Sequence, residues 1–120
     1  MSTKVLIIDD DESIREVVRI MLKDFKVFEA SDALEGIRIF VEEKPDVVLM
    51  DISMPGIDGV DATREILKID PKAIIIGFSA FSRSRGKELL NAGAKGLIEK
   101  PFTRKSLRET IERYLAKTVA

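Results

Sequence analysis

The sequence predicts an α/β fold: five parallel strands in one doubly wound sheet, with five helices over its two faces. Three observations point there. Val47-Val48-Leu49-Met50 is an unbroken apolar run, the pattern of a strand buried on both faces of a parallel sheet. Short strand candidates alternate along the chain with segments whose apolar residues recur at helical spacing. Third, several strand candidates stop abruptly at polar residues (Asp9, Asp51, Ser79 and Lys100), so one rim of the sheet collects the chemistry.

Lys4-Val5-Leu6-Ile7-Ile8 is the first strand, and it runs into Asp9-Asp10-Asp11-Glu12, four acids that repel one another unless something positive sits there. From Ser13 to Lys23, the residues Ile14, Val17, Val18, Met21 and Leu22 fall on one helix face. Phe25-Lys26-Val27-Phe28-Glu29 alternates as a short strand. Asp32 offers a helix cap with Glu35 three residues on, Ala33, Ile37, Phe40 and Val41 make the next apolar stripe, and Pro45 closes the segment. The central strand Val47 to Asp51 follows. In the loop after it, Ile52 to Gly59, one Pro and two Gly mark a tight, specifically shaped turn.

Val60, Thr63, Ile66 and Leu67 line a helix that Pro71 terminates, and Ala73 to Phe78 is another buried strand, ending in Ser79-Ala80. A helix from about Ser84 to Asn91 meets Ala92-Gly93-Ala94, a carboxyl cap. Gly96 to Glu99 is the last strand, ahead of Lys100-Pro101, and Leu107, Ile111, Tyr114 and Leu115 give the closing helix. The 120 residues suit a single domain, 1–120, with one core and no repeat or linker.

Composition removes whole classes of chemistry. The chain has no cysteine and no histidine. Disulfides, thiolate nucleophiles and zinc-cysteine sites are excluded, and the chain cannot itself donate from a phosphohistidine. The absence of a signal-peptide pattern and of a membrane-length apolar run leads to the expectation of a cytoplasmic protein with no membrane contact. A net charge of -1 suggests no direct nucleic-acid role, yet it hides an asymmetry. Residues 1–61 hold seven Lys/Arg against fifteen Asp/Glu, while residues 81–120 hold ten against four.

Asp9, Asp10 and Asp51 converging on one rim need a compensating cation, and with oxygen ligands alone on offer a hard ion, Mg²⁺, is expected. A carboxylate beside Mg²⁺ can accept a phosphoryl group as an acyl phosphate. Lys100 would then supply a second positive charge, and the Ser79 hydroxyl a hydrogen bond to a phosphoryl oxygen. Taken singly, each residue has a duller role: Asp and Ser at strand ends cap helices or turn the chain, and a Lys before a Pro is commonly solvated. Five suitable residues at four strand ends shift the weight to a site.

The residues Ile8-Asp9-Asp10-Asp11, Leu49-Met50-Asp51 through Gly59, Phe78-Ser79-Ala80, Gly93-Ala94-Lys95-Gly96 and Lys100-Pro101-Phe102 together resemble the receiver domain of two-component response regulators, the CheY-like family. That family has a flavodoxin-like sheet of strand order 2-1-3-4-5, and the resemblance implies the same order here. It implies that Asp51 is the phosphoacceptor, that Asp9, Asp10, Asp51 and the Ser53 carbonyl hold Mg²⁺, that Ser79 and Lys100 contact the phosphoryl group, and that the Lys100-Pro101 bond is cis. The donor it implies is a sensor histidine kinase or a phosphotransfer protein. The readout it implies is a downstream protein target on the face of helix 4, strand 5 and helix 5.

That face coincides with the basic part of the chain, so an acidic partner is expected. Two positions depart from the family pattern: Leu97 stands where many receivers have Tyr or Phe, and Phe81 lies where acyl-phosphate lifetime is tuned. An apolar ring at Phe81 predicts slow self-dephosphorylation. The competing readings are an aspartate-based phosphatase of the haloacid dehalogenase type, whose Asp-x-Asp pattern Asp9-Asp10-Asp11 formally contains, and a degenerate receiver acting only as a binding module. The first leaves Met54-Pro55-Gly56 and Lys100-Pro101 without a role. The intact acids, hydroxyl and lysine argue against the second.

Overall fold

A computed structural model describes the chain except residues 1, 2, 53, 55, 80–82, 100, 101 and 120, and of residues 79, 83, 84 and 117–119 it describes the backbone alone. The elements run β1 (Lys4–Ile8), α1 (Glu12–Met21), β2 (Lys26–Ala30), α2 (Ala33–Glu43), β3 (Val47–Asp51), α3 (Gly59–Ile69), β4 (Ile75–Ser79), α4 (Arg83–Ala92), β5 (Gly96–Glu99) and α5 (Arg104–Val119). The sheet order is β2-β1-β3-β4-β5 and every pairing is parallel, as the sequence predicts.

Side chains of a strand alternate between the sheet faces, and both faces here are covered, which is why the strands read as continuous apolar runs. Val5, Ile7, Val47, Leu49, Ile76 and Phe78 pack with Val18 and Leu22 near α1 and with Leu107 and Ile111 of α5. On the other face Leu6, Ile8, Val48, Met50 and Ile75 pack with Phe40 of α2, Ile66 of α3 and Leu89 of α4. β3 is therefore buried over its whole length, and β1 from Val5 to Ile8.

Some expectations need correction. Val17 and Val41 do not belong to the buried stripes: Val17 is 40% exposed and Val41 half-exposed. The sheet meets a narrow arc of each helix, centred on Val18 and Leu22 in one case and on Ala33, Gly36 and Phe40 in the other, and a residue about 100° further round is left in water. The first helix begins at Glu12 because Asp11, one residue beyond the Asp9-Asp10 pair, caps it by accepting the Ser13 amide at 2.9 Å. β2 spans Lys26–Ala30 and β4 Ile75–Ser79, each displaced towards the carboxyl rim from the segments expected.

Other ends follow local chemistry. Asp32 caps α2 by accepting the Glu35 amide at 2.8 Å. Gly93, at φ +120°, closes α4: its amide reaches the Leu90 carbonyl at 3.0 Å and the Ala94 amide the Leu89 carbonyl at 3.1 Å, the paired bonds of a Schellman ending. Thr103 and Ser106 cap α5 reciprocally, each side-chain oxygen accepting the other's amide at 3.0 Å. The same helix is tied to the α1–β2 connection, where Arg108 meets Asp24 at 2.6 Å and lies 5.1 Å over the Phe25 ring.

Asp58 caps α3. One carboxylate oxygen accepts the Asp61 amide at 3.0 Å, and the other faces the Arg85 guanidinium at 3.0 Å. The Asp61 amide, and after it Arg85, hold this carboxyl below its ordinary value of 3.8. A carboxyl lowered on folding stabilises the fold above its unfolded value and loses that contribution as pH falls through the folded one. The stability gap between wild type and Asp58→Asn, which keeps a capping side chain, is therefore expected to be constant near neutrality and to close below pH 3.8. Denaturant unfolding across that range measures it.

Thr63 of α3 is fully buried, and among the described residues its hydroxyl has no hydrogen-bond partner. Burying an unpaired hydroxyl costs about 1–3 kcal/mol, so Thr63→Val, which keeps the shape, is expected to leave the fold as stable or to add about 1 kcal/mol in urea unfolding.

Candidate functional site

The sheet order reverses direction between β1 and β3, and the crevice outside the carboxyl ends of those two strands is where an open α/β sheet binds ligands. Ile8 lies opposite Met50 in the register. Asp9 and Asp51, each one residue further, are consequently brought side by side, and Asp10 follows on the same turn. Each of the three offers a carboxylate oxygen, and these atoms all lie within 4.8 Å of one another. Asp9 is 1% and Asp51 9% exposed, while Asp10 stands outermost.

Three carboxylates so placed repel one another, and the two buried ones, Asp9 and Asp51, have little water to screen them. Their donors are hard oxygens at a separation that fits a small divalent cation, so the residues present suit the Mg²⁺ expected from the sequence. The surrounding chain holds them in place. An oxygen of Asp9 accepts the Asp11 amide at 2.9 Å, and the Asp9 amide donates to the Ala30 carbonyl at 3.0 Å. The Arg15 guanidinium donates to the Asp9 carbonyl at 2.6 Å and lies 3.5 Å from Glu29, which also pairs with Arg19 at 2.6 Å.

On the β3 side the first turn of α3 comes up against the strand end. The Gly59 amide donates to the Ile52 carbonyl at 2.9 Å. A Cβ at this position would lie 2.2 Å from the Asp51 carbonyl oxygen and 2.9 Å from Ile52 Cα, both backbone atoms that have no rotamer to yield. Gly56 has a different task, since it takes the left-handed conformation at φ +78° in open space. The two glycines of the loop thus serve a close approach and a turn.

Of the residues expected at the site, Asp9, Asp10 and Asp51 are brought together. Ser79 is the last residue of β4, one beyond the Phe78 that pairs with Asp51, so its backbone lies on the same rim; its side chain is outside the described part. Ser53 and Lys100, and with them Phe81 and Pro101, lie outside the described residues. Just past Lys100-Pro101, Phe102 stacks on Phe78 with ring centroids 5.2 Å apart, which anchors the chain beside the rim.

Leu97 is partly buried and fills space that two glycines leave. Its methyl carbons lie 2.8 Å and 2.7 Å from where Cβ atoms would stand on Gly77 of β4 and Gly86 of α4. Three features escaped the sequence: the Arg15 bond to the Asp9 carbonyl, the Gly59 approach and the Asp58–Arg85 pair. Asp58 followed at three residues by Asp61 is a readable cap signal, whereas Arg85 lies 27 residues from its partner and nothing in the sequence pairs them.

The model of the response regulator receiver domain matches residues 5–112. The chain is 39% identical over 114 residues to the chemotaxis protein CheY of Halobacterium salinarum, covering 92% of this chain and 95% of that protein. It is 44% identical over 110 residues to the CheY of Thermotoga maritima, covering 85% and 88%. A CheY-like receiver domain from Methanospirillum hungatei superposes with a TM-score of 0.91 at 28% identity, covering 98% of this chain and 96% of that one. The acids gathered at the β1/β3 crevice thus sit in a fold and a sequence that agree, and the chain belongs to the response regulator receiver family, whose members are phosphorylation-activated signalling switches.

Proposed function

We propose that the chain, as a single receiver unit over residues 1–120, takes a phosphoryl group onto the Asp51 carboxylate from a phosphohistidine on a sensor kinase or phosphotransfer protein. The observation that carries this reading is the convergence of Asp9, Asp10 and Asp51 within 4.8 Å at the carboxyl ends of β1 and β3. An Asp51 oxygen attacks phosphorus, the P–N bond to the donor imidazole breaks, and its electron pair returns to that nitrogen, which takes up a proton. Asp9, Asp10, Asp51 and the Ser53 carbonyl would hold Mg²⁺, which supplies charge neutralisation on the transferring oxygens. Ser79 and Lys100 fit as the hydrogen-bond donor and the cation for the phosphoryl oxygens.

The chain's own scaffold supports this role. Asp51 is shielded at its base by the first turn of α3, and Asp9 is held by the Asp11 amide, so the acids are oriented before a donor arrives. Removal of the group follows the reverse geometry, with water in line with the acyl phosphate, and the ring of Phe81 would restrict that water. Intact mass after incubation with acetyl phosphate is expected to rise by one phosphate only when Mg²⁺ is present, and not at all for Asp51→Asn. Label retained by Asp51→Asn would move the acceptor elsewhere, and no label on either protein would favour a binding module without phosphoryl chemistry.

We further infer that the α4-β5-α5 side receives an acidic protein target. Arg85, Arg104 and Arg108 are engaged in pairs within the molecule, whereas Lys87, Lys95, Lys105 and Arg113 stand exposed on the same part of the chain. Attraction of this kind is screened by salt. Affinity for the target is expected to fall several-fold between about 50 and 200 mM salt, and Lys105→Glu to lower it further at the low end; binding that salt leaves unchanged would remove electrostatics from the recognition.

A further inference from the structure

α4 is a poor helix by its own sequence. Gly86 sits in its interior, and Arg85 lies in its first turn, where a cation opposes the helix dipole. Among the described residues of α4, Leu89 is the one large apolar side chain that is fully buried, and Leu90 is exposed. A tertiary contact meets the start of this helix: Arg85 reaches across to Asp58 at 3.0 Å, while Glu88, one turn on in the same helix, pairs with Arg85 at 3.0 Å. About a third of each partner's side chain in the Arg85–Asp58 pair is exposed, so the pair is partly shielded from water.

Asp58 is in turn fixed to the acceptor strand. It caps the helix whose first residue, Gly59, has its amide bonded to the Ile52 carbonyl and lies so close to β3 that a Cβ would run into the Asp51 carbonyl oxygen. The chain of contacts is short: Asp51 peptide, Gly59, the Asp58 cap, the Arg85 side chain, which Asp58 and Glu88 hold from two sides, and α4. The contacts of α4 with the sheet, Leu89 seated against Gly77 of β4 and Leu97 of β5 against Gly86, are apolar and carry no directional bond.

We propose that the Asp58–Arg85 pair is a positioning strut that transmits displacement of the Asp51 peptide to α4, separately from the β4–α4 connection. This inference rests on Asp51 being the phosphoryl acceptor. Neither residue touches the reacting atoms; both act through the position of α4. Coupling between two sites is reciprocal, so the strut also lets a target seated on α4 bias the state of Asp51.

The test is hydrogen exchange across residues 85–92 of the full chain, before and after loading with acetyl phosphate and Mg²⁺, with loading followed by intact mass. Wild type is expected to load and to change its α4 exchange on loading. Asp58→Asn, which still caps α3, and Arg85→Gln are each expected to load to the same stoichiometry but to reduce that change about threefold or more, and the double variant no further than either single. Arg85→Lys should restore a large part of the response, since it keeps the charge.

A merely structural role would alter exchange equally with and without the phosphoryl group. Variants whose α4 response equals that of wild type, single effects that add in the double variant, or a wild type that loads without any change in α4 would each overturn the strut. A wild type that takes no phosphoryl group would overturn the acceptor reading first, and the mass measurement separates that outcome from the others.

Discussion

Three carboxylates held within 4.8 Å, one of them almost wholly out of water, are the constraint on which the rest of this structure depends. Such a group raises the energy of the fold unless a cation or a donor network offsets it. The chain meets the requirement with fixed dipoles and hydrogen bonds around the acids. Asp9 is bonded through its side chain to the Asp11 amide, through its own amide to Ala30 and through its carbonyl to Arg15. Arg15 is in turn held by Glu29, so the cation nearest the acid cluster among these contacts is fixed from behind. Asp10 is the outermost of the three, on the side towards solvent.

The sheet makes this concentration of charge possible. A sheet whose central strands are packed on both faces gives a rigid platform, and the parallel direction of its five strands puts all carboxyl ends on one rim. Strain from the acid cluster is therefore resisted by the packing of Leu6, Ile8, Val48 and Met50 below it rather than by the loops that carry it. The loops only need to deliver side chains and peptide groups, and Gly56 and Gly59 are the positions at which backbone geometry allows them to do so.

How much of this the sequence discloses depends on whether the cause is local. β3 is readable residue for residue, because burial on both faces leaves an unbroken apolar run with a carboxylate at its end. β5 and the Asp32 cap are readable for the same reason, since turn residues and a capping pair act within a few positions. The outward faces of α1 and α2 are not, because periodicity tells which residues share a stripe and not how wide an arc the sheet will cover. Asp9, Asp10 and Asp51 can be placed on one rim from the strand pattern alone. Their clamps cannot: Arg15 acts on a carbonyl, Gly59 acts by the atom it lacks, and Arg85 finds its partner across 27 residues.

The helices differ in how they are held, and that difference bears on signalling. α5 is capped reciprocally, buries Leu107 and Ile111, and is tied by Arg108 to the α1–β2 connection on the far side of β1. α3 comes up against the carboxyl end of β3 at Gly59. α4 has an interior glycine, Leu89 as its one fully buried large apolar side chain among the described residues, and a charged contact at its start. Low-stability elements are the ones that can move without unfolding the rest. A switch of this kind needs an element loose enough to shift and a link stiff enough to tell it when. Leu89 and Leu97 give the helix an apolar seat on the sheet, and the route proposed for the signal runs from Asp51 through Gly59 and Asp58 to Arg85. With leucine rather than an aromatic ring on β5, that strand offers no ring or hydroxyl to change partner, which is in keeping with the proposed route through the helix.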